Sequence, residues 1–373
     1  MIRWLLIDFS VFLCVATVTG IIIPQILLIA FRKNLFDTPD PRKIHKTEVP
    51  RLGGIAFFPA ILFALLLLFG LGTLSKDVSI QLRIHNNLQP LCFTGCGAII
   101  LYLTGMADDL VGVKYRAKFV MQTIAAALVI VSGIRIGNLH GFLGVYELPL
   151  AASILLTGLL IVFIINAINL IDGIDGLASG LSAIACLFYA YVFLRSNLCI
   201  FSAVAMATLG ALLPFFMFNV FGNANKHKKI FMGDTGALTI GLLLSVMSIE
   251  TCSIEWMNNS ANTAVVAFAP LLIPCMDVVR VYLHRLKAGK SPFLPDKTHI
   301  HHKLLALGMS QRKAMMSIVT TSALLIAANY WLSAHVDITL LFFTDLAVWI
   351  VANMILTRAI YARERRLSIK LYE

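Results

Sequence analysis

Residues 150–194 read LAASILLTGLLIVFIINAINLIDGIDGLASGLSAIACLFYAYVFL: two apolar runs, 150–170 and 178–194, with Asn, Asp and Gly crowded at their joint. Each run approaches the roughly 20 residues that carry a helix across a bilayer. The pair therefore reads as two membrane helices whose connection holds carboxylates at the membrane edge. Scanning outward by the same criterion gives about eleven spans, near 4–31, 52–72, 89–107, 119–134, 150–170, 178–194, 199–220, 236–255, 263–281, 314–334 and 339–357. Composition agrees. Of 373 residues, 59% are apolar and only 13% are charged, against roughly 25% charged in a soluble globular chain. An ordinary soluble enzyme is excluded, and the expected fold is an all-α polytopic membrane protein forming one catalytic domain over 1–373.

The net charge of +11 would suggest nucleic acid in a soluble chain; here it reads as cytoplasmic loops. With the N-terminus outside, 25 of the 30 Lys and Arg fall in loop 32–51, loop 108–118, loop 222–235, stretch 280–313 and tail 358–370. The positive-inside rule then gives N-terminus out and C-terminus in. The expected cytoplasmic loops are 32–51, 108–118, 171–177, 222–235 and 282–313. The first apolar run is too long for a signal-peptide core, no small-x-small cleavage site closes it, and Arg32-Lys33 follows it as a stop-transfer pair. The seven cysteines form no CxxC pair and read as buried, hydrophobe-like thiols, Cys92 and Cys96 included. No internal repeat is evident.

Charged groups at membrane level are costly and mark function. Seven acids gather at helix ends on the expected cytoplasmic side: Asp108, Asp109, Asp172, Asp175, Asp234, Asp277 and Asp296. Adjacent Asp108 and Asp109 suit a divalent metal or a shared proton, or simply end a helix; Lys114, Arg116 and Lys118 follow and can neutralise phosphate. Asn166, Asn169 and Asp172 step by three along one helical face, and their hard oxygens suit Mg²⁺; Asn in a bundle can equally bond helix to helix. Asn219 ends a span before Lys226-His-Lys-Lys229 and Phe231-Met-Gly-Asp234-Thr-Gly236. There a helix N-terminus favours anions, although Asp234 also fits as a plain N-cap. The fourth cluster runs from Arg285 to Lys303 and includes Ser291-Pro-Phe-Leu-Pro-Asp296 and His299-Ile-His301-His302. A P-loop is rejected because His284 stands where its first Gly belongs. The His spacing matches neither HExxH nor a zinc finger, leaving imidazoles that donate to phosphate, or a surface cluster.

In this order, Asp108-Asp109, NxxNxxDGIDGL, FMGDTG and SPFxPDxxHIHH, together with the Pro50-Arg-Leu-Gly53-Gly54 turn, resemble the polyprenyl-phosphate N-acetylhexosamine-1-phosphate transferases. The HIHH and SPFLPD forms are closest to the bacterial undecaprenyl-phosphate N-acetylglucosamine-1-phosphate transferase branch. The resemblance implies transfer of a sugar 1-phosphate from a UDP-aminosugar to undecaprenyl phosphate, with release of UMP, in a bacterial inner membrane. It implies Mg²⁺ (Mn²⁺ as a substitute) on Asn169 and Asp234, and catalytic roles for Asp108, Asp109 and Asp234. Lys46, Lys118, Asn166, Asp172, Asp175, Asn219, His299, His301 and His302 would contact substrates. The expected partners are membrane lipid and a second copy in a homodimer, with no nucleic acid. Gly112 stands where several relatives carry a further acid or amide, which argues against a third acid in the first motif. A cation-coupled transporter is the alternative; it would place carboxylates at mid-span and repeat its halves.

Overall fold

A computed structural model describes residues 2–36, 49–254, 263–289, 298–370 and 372. In chain order the helices are α1 (Ile2–Lys33), α2 (Phe57–Leu74), α3 (Val78–Val111) and α4 (Tyr115–Val131). A hairpin of β1 (Asn138–Phe142) and antiparallel β2 (Val145–Glu147) precedes α5 (Leu150–Ile171), α6 (Leu177–Arg195), α7 (Cys199–Val220) and α8 (Gly233–Cys252). Then come α9 (Thr263–Phe268), α10 (Leu272–Lys287), α11 (Ile300–Ala306), α12 (Gln311–Leu332) and α13 (Ile338–Leu367). A 3₁₀ turn joins α9 to α10, so the two make one continuous span, Thr263–Lys287.

Among the described residues, ten segments are long and apolar enough to cross a membrane. The eleventh expected span is α4. Its 17 residues reach only about 26 Å at 1.5 Å per residue, short of a hydrocarbon core of roughly 30 Å. The hairpin was not anticipated. Its turn needs positive φ at Gly141 and Gly144, and at the far face it hangs on α13 through Leu143 N–H to Thr339 Oγ1 at 2.9 Å. Helix α3 also starts eleven residues before the expected span. Asp77 caps it by accepting from Ser79 N–H at 2.8 Å, and its polar first turns continue the helix past the apolar stretch. Cys92 and Cys96 correct an expectation: both are exposed on the outer surface of α3, where an apolar thiol is compatible with lipid.

Helix α8 is the centre of the bundle, nearly every one of its residues being buried. Small residues let its neighbours close on it, as membrane helices require when lipid offers no hydrophobic drive between them. A Cβ on Gly241 would stand 2.8 Å from Ile165 Cα, and one on Gly105 would stand 2.5 Å from Thr235 Cα. Helices α5 and α3 thus touch α8 backbone to backbone. The peripheral helices α1, α2 and α13 instead display large apolar side chains outward, such as Phe9, Leu66, Val351 and Ile355. One acid missed in the sequence lies within α13. Asp345 is buried and accepts from Asn329 Nδ2 of α12 at 3.2 Å, toward the face away from the carboxylate cluster.

Candidate active site

The close approach at Gly105 sets the site. One turn further along α3, Asp109 meets the first turn of α8: its carboxylate accepts from Asp234 N–H at 2.8 Å, Thr235 N–H at 2.9 Å and Thr235 Oγ1 at 2.5 Å. A neighbouring helix thereby caps α8, satisfying N–H groups that a buried helix start would otherwise leave orphaned. Gly233 makes the entry possible, with φ of +71° and no room for a side chain against Arg51 O. The Pro50–Gly54 turn runs alongside as a short ladder: Phe231 N–H to Pro50 O, Gly53 N–H to Phe231 O and Gly54 N–H to Met232 O, all at 2.8 to 2.9 Å.

Asp108 and Asp234 then converge on one cation. Lys118, from the first turn of α4, donates to Asp108 Oδ2 at 3.0 Å and to Asp234 Oδ2 at 2.7 Å. The other oxygen of Asp108 accepts from Val113 N–H at 2.7 Å. Helix α5 runs antiparallel to α8, and the contact of Ile165 with Gly241 sets the register. Counting outward at 1.5 Å per residue, Asn169 and Asp172 come level with the first turns of α8, where Asp234 lies. The fields of Asp234 and Asp109 reach Asp172 accordingly. Asp172 is open at its surface but ringed by protein; this desolvation, then the charge of Asp175, pushes its carboxyl up to about 7. Asp175 itself pairs with Lys229 at 2.5 Å.

The histidines complete the ring. Asp277 of α10 accepts from Ile300 N–H at 3.0 Å, pairs with Arg280 and lies 2.9 Å from His299 Nδ1. This anchor delivers the start of α11 to the loop after α5. His301 is 1% exposed, neither ring nitrogen has a hydrogen-bond partner among the described residues, and its Nε2 lies 2.2 Å from where a Cβ on Gly173 would stand. Only glycine at 173 admits that imidazole. His302 is half-buried beside it, with ring centroids 4.2 Å apart.

Burial, then the charges of His302 and His299, pushes the His301 imidazole down to about 3. The unfolded chain takes up a proton near pH 6.5, whereas the folded protein resists it until about pH 3. Stability is therefore full above pH 6.5 and declines as the pH falls, by up to about 2 kcal/mol at pH 5 from this group. Thermal melts of His301→Gln should show a shallower loss between pH 7.5 and 5 than the wild type; equal slopes would contradict the buried neutral imidazole.

Most of the anticipated residues thus meet at one end of the bundle: Asp108, Asp109, Lys118, Asn169, Asp172, Asp175, Asp234 and His301. Two are engaged structurally. Asn166 gives its amide to Gln122 Oε1 and Val162 O, both at 2.7 Å, bonding α5 to α4. Asn219, 4% exposed, accepts from Gly176 N–H at 2.6 Å and donates to Ile230 O at 2.8 Å, clamping the two loops that carry Asp175 and Asp234. Lys46 and the Ser291–Asp296 motif lie outside the described residues. Arg51, Lys229 and Asp277 contribute to the site although the sequence assigned none of them a role, Asp277 standing only among the seven clustered acids and Lys229 only in the basic run before FMGD. Their signals were a cation inside the Pro50–Gly54 turn, a lysine shortly before FMGD, and an acid ending an apolar run.

Among the described residues, no three of His, Cys, Asp and Glu group tightly enough to cage a metal. Mg²⁺ seldom needs such a cage: it keeps several waters and takes one or two carboxylates plus substrate phosphates. Asp234 and Asp108, with the Asn169 amide nearby, form a donor set of hard oxygens that fits this habit.

Residues 91–252, which include the two carboxylate-bearing helix ends and Lys118, match the model of glycosyl transferase family 4. The undecaprenyl-phosphate alpha-N-acetylglucosaminyl 1-phosphate transferase of Salmonella typhi is 31% identical over 299 residues, covering 80% of this chain and 76% of that protein. The decaprenyl-phosphate N-acetylglucosaminephosphotransferase of Mycobacterium tuberculosis is 33% identical over 325 residues, covering 82% and 78%. A likeness of that depth, carried over most of both partners, means that the chain belongs to glycosyl transferase family 4, the polyprenyl-phosphate N-acetylhexosamine-1-phosphate transferases.

Proposed function

We propose that this enzyme moves N-acetylhexosamine 1-phosphate, in the first instance N-acetylglucosamine 1-phosphate, from its UDP derivative to undecaprenyl phosphate, as the first membrane step of a cell-envelope polysaccharide. The observation that carries the reading is Lys118 held between Asp108 and Asp234 at one end of a membrane bundle, with Asp172 within the field of Asp234 and His301 packed on the adjoining Gly173. Undecaprenyl phosphate keeps its tail in lipid and its head at the surface, and the UDP-sugar comes from water. Only a site at the membrane edge reaches both. The clustering of the basic loops supports the cytoplasmic face of the inner membrane.

In the reaction an oxygen of the lipid phosphate attacks the β-phosphorus of the UDP-sugar. A new P–O bond forms, the bond between that phosphorus and the bridging oxygen breaks, and UMP leaves with the electron pair. Both reactants are anions, so the work of the protein is charge neutralisation and alignment. Lys118 supplies a fixed positive charge, and Asp108 and Asp234 hold its ammonium in place. His301 is neutral at working pH and its ring nitrogens have no hydrogen-bond partner among the described residues, so its N–H is free to go to a phosphate oxygen once substrate parts the contact with Gly173. Asp109 gives its oxygens to the start of α8 and so positions Asp234, whereas Asp108 accepts from Val113 N–H and from Lys118 and so fixes the cation. Mg²⁺, held by Asp234 with Asn169, would supply further neutralisation of the diphosphate when bound.

The test supplies purified enzyme with undecaprenyl phosphate, Mg²⁺ and a panel of UDP-aminosugars, and weighs the lipid product by mass spectrometry. A lipid heavier by one N-acetylhexosamine phosphate, formed in step with UMP, is the expected product. UMP or sugar phosphate released with no change in lipid mass would overturn the reading.

A further inference from the structure

Helix α13 is held at its ends, by the hairpin and α9 on the far side and by α11 on the site side. Between these it stands off α10 and leaves a cleft of about 480 Å³. The lining changes character along its length. Leu346, Trp349 and Ile350 of α13 face Met276 and Val279 of α10 in one part; Arg280, His284, Lys303 and Arg358 gather in the other, and among the described residues no acid lines the cleft. Leu346 and Arg358 are twelve residues apart, about 18 Å along a helix, close to half the roughly 30 Å hydrocarbon thickness. The cleft therefore has the length and polarity of a single leaflet's lipid.

Lys303 makes the charge balance specific. Its residue is only 4% exposed, and its ammonium donates to neutral acceptors, Asn353 Oδ1 at 3.1 Å and Thr357 Oγ1 at 3.0 Å. Burial, then the charge of Arg280, pushes it down to about 8. Asp277 acts on it only at a distance, being paired with Arg280 and His299; among the described residues this buried cation has no acid in contact, which is costly, and a phosphodiester monoanion would offset it. We propose that the α10–α13 cleft seats an anionic phospholipid of the surrounding membrane, with its phosphate among Arg280, His284, Lys303 and Arg358.

The acceptor lipid is the less fitting occupant. None of Asp108, Lys118, Asp172 and Asp234 lines the cleft, and α11 stands between, with His301 against Gly173 and Lys303 in the cleft. The same arrangement gives the lipid a consequence. Lys303 lies two residues beyond His301, and Arg280 braces Asp277, which holds His299. A phosphate on these cations would steady the histidine segment from behind.

The enzyme is placed in nanodiscs of equal phosphatidylglycerol and phosphatidylcholine, transferred to mild detergent, and its retained lipid is counted by native mass spectrometry. This readout does not use transfer activity, so its failure is separate from failure of the proposed reaction. The wild type should retain one phosphatidylglycerol in preference to phosphatidylcholine. His284→Gln with Arg358→Gln should lower that retention at least fivefold, while Arg195→Gln, on the far face, leaves it unchanged. In unmutated protein, a phosphatidylglycerol with a photoreactive acyl chain should label the segment around Ile350 and Met354. Equal retention of both lipids, indifference to the cleft substitutions, labelling confined to other helices, or displacement of phosphatidylglycerol by stoichiometric undecaprenyl phosphate would each overturn the proposal.

Discussion

Asp234→Asn should lower sugar-phosphate transfer by about 10³-fold or more, the scale of losing a charged group that stabilises a transition state, and leave the protein folded. Asn is isosteric, and the backbone N–H at 234 would still donate to Asp109. Lys118 would keep Asp108 as a partner at 3.0 Å, so no buried cation is stranded. What disappears is one negative charge among groups that must hold a lysine and, when bound, Mg²⁺. Turnover of UDP-N-acetylglucosamine and melting in detergent, measured on the same preparation, separate the two effects. Wild-type turnover in Asp234→Asn would remove this residue from the chemistry.

The second large effect concerns a residue with no side chain. Gly105 lies inside α3, where helix propensity alone predicts that alanine stabilises by up to about 1 kcal/mol. The structure predicts the opposite sign, because the added Cβ would fall 2.5 Å from both Thr235 Cα and Thr235 N. Backbone cannot yield as a flexible side chain can, so α3 and α8 must part, and overpacking of this kind typically costs about 1–3 kcal/mol. The three hydrogen bonds from the start of α8 to Asp109 would lengthen with that separation, and Asp234 would drift from Lys118. Gly105→Ala should therefore melt lower than the wild type, and Gly105→Val should lose at least a hundredfold in turnover. Gly95 is the control on the same helix: nothing lies within 4 Å of its missing Cβ, and Gly95→Ala should melt at or above the wild type. A Gly105→Val enzyme with normal turnover would contradict the backbone contact on which the site is built.

The spans were legible because a bilayer imposes a length and a polarity that hydropathy reads directly; the run expected over 199–220 is α7, Cys199–Val220. Where the helix outlives the apolar run, that reading stops short, as at the start of α3 among Gln81, Arg83 and His85. The hairpin escaped because two strands of five and three residues carry too little alternation to register. Asp345 went unremarked because its partner Asn329 lies on another helix, and no spacing announces that pair. The carboxylates of the site were legible as polar residues at the ends of apolar runs, but their division of labour was not. Adjacent Asp108 and Asp109 read alike in sequence, yet one holds Lys118 and the other caps α8, a difference set by which helix packs against which side. Asn166 and Asn169 are likewise equivalent in the motif, and only the approach of Gln122 on α4 assigns the first to helix pairing.

The most direct measurement is an experimental structure of the enzyme in lipid with Mg²⁺ and UDP-N-acetylglucosamine. The diphosphate should lie at the membrane edge among Lys118, Asn169, Asp234 and His301, with the metal on Asp234. A diphosphate bound on the far face, or anywhere out of reach of both Lys118 and His301, would contradict the account.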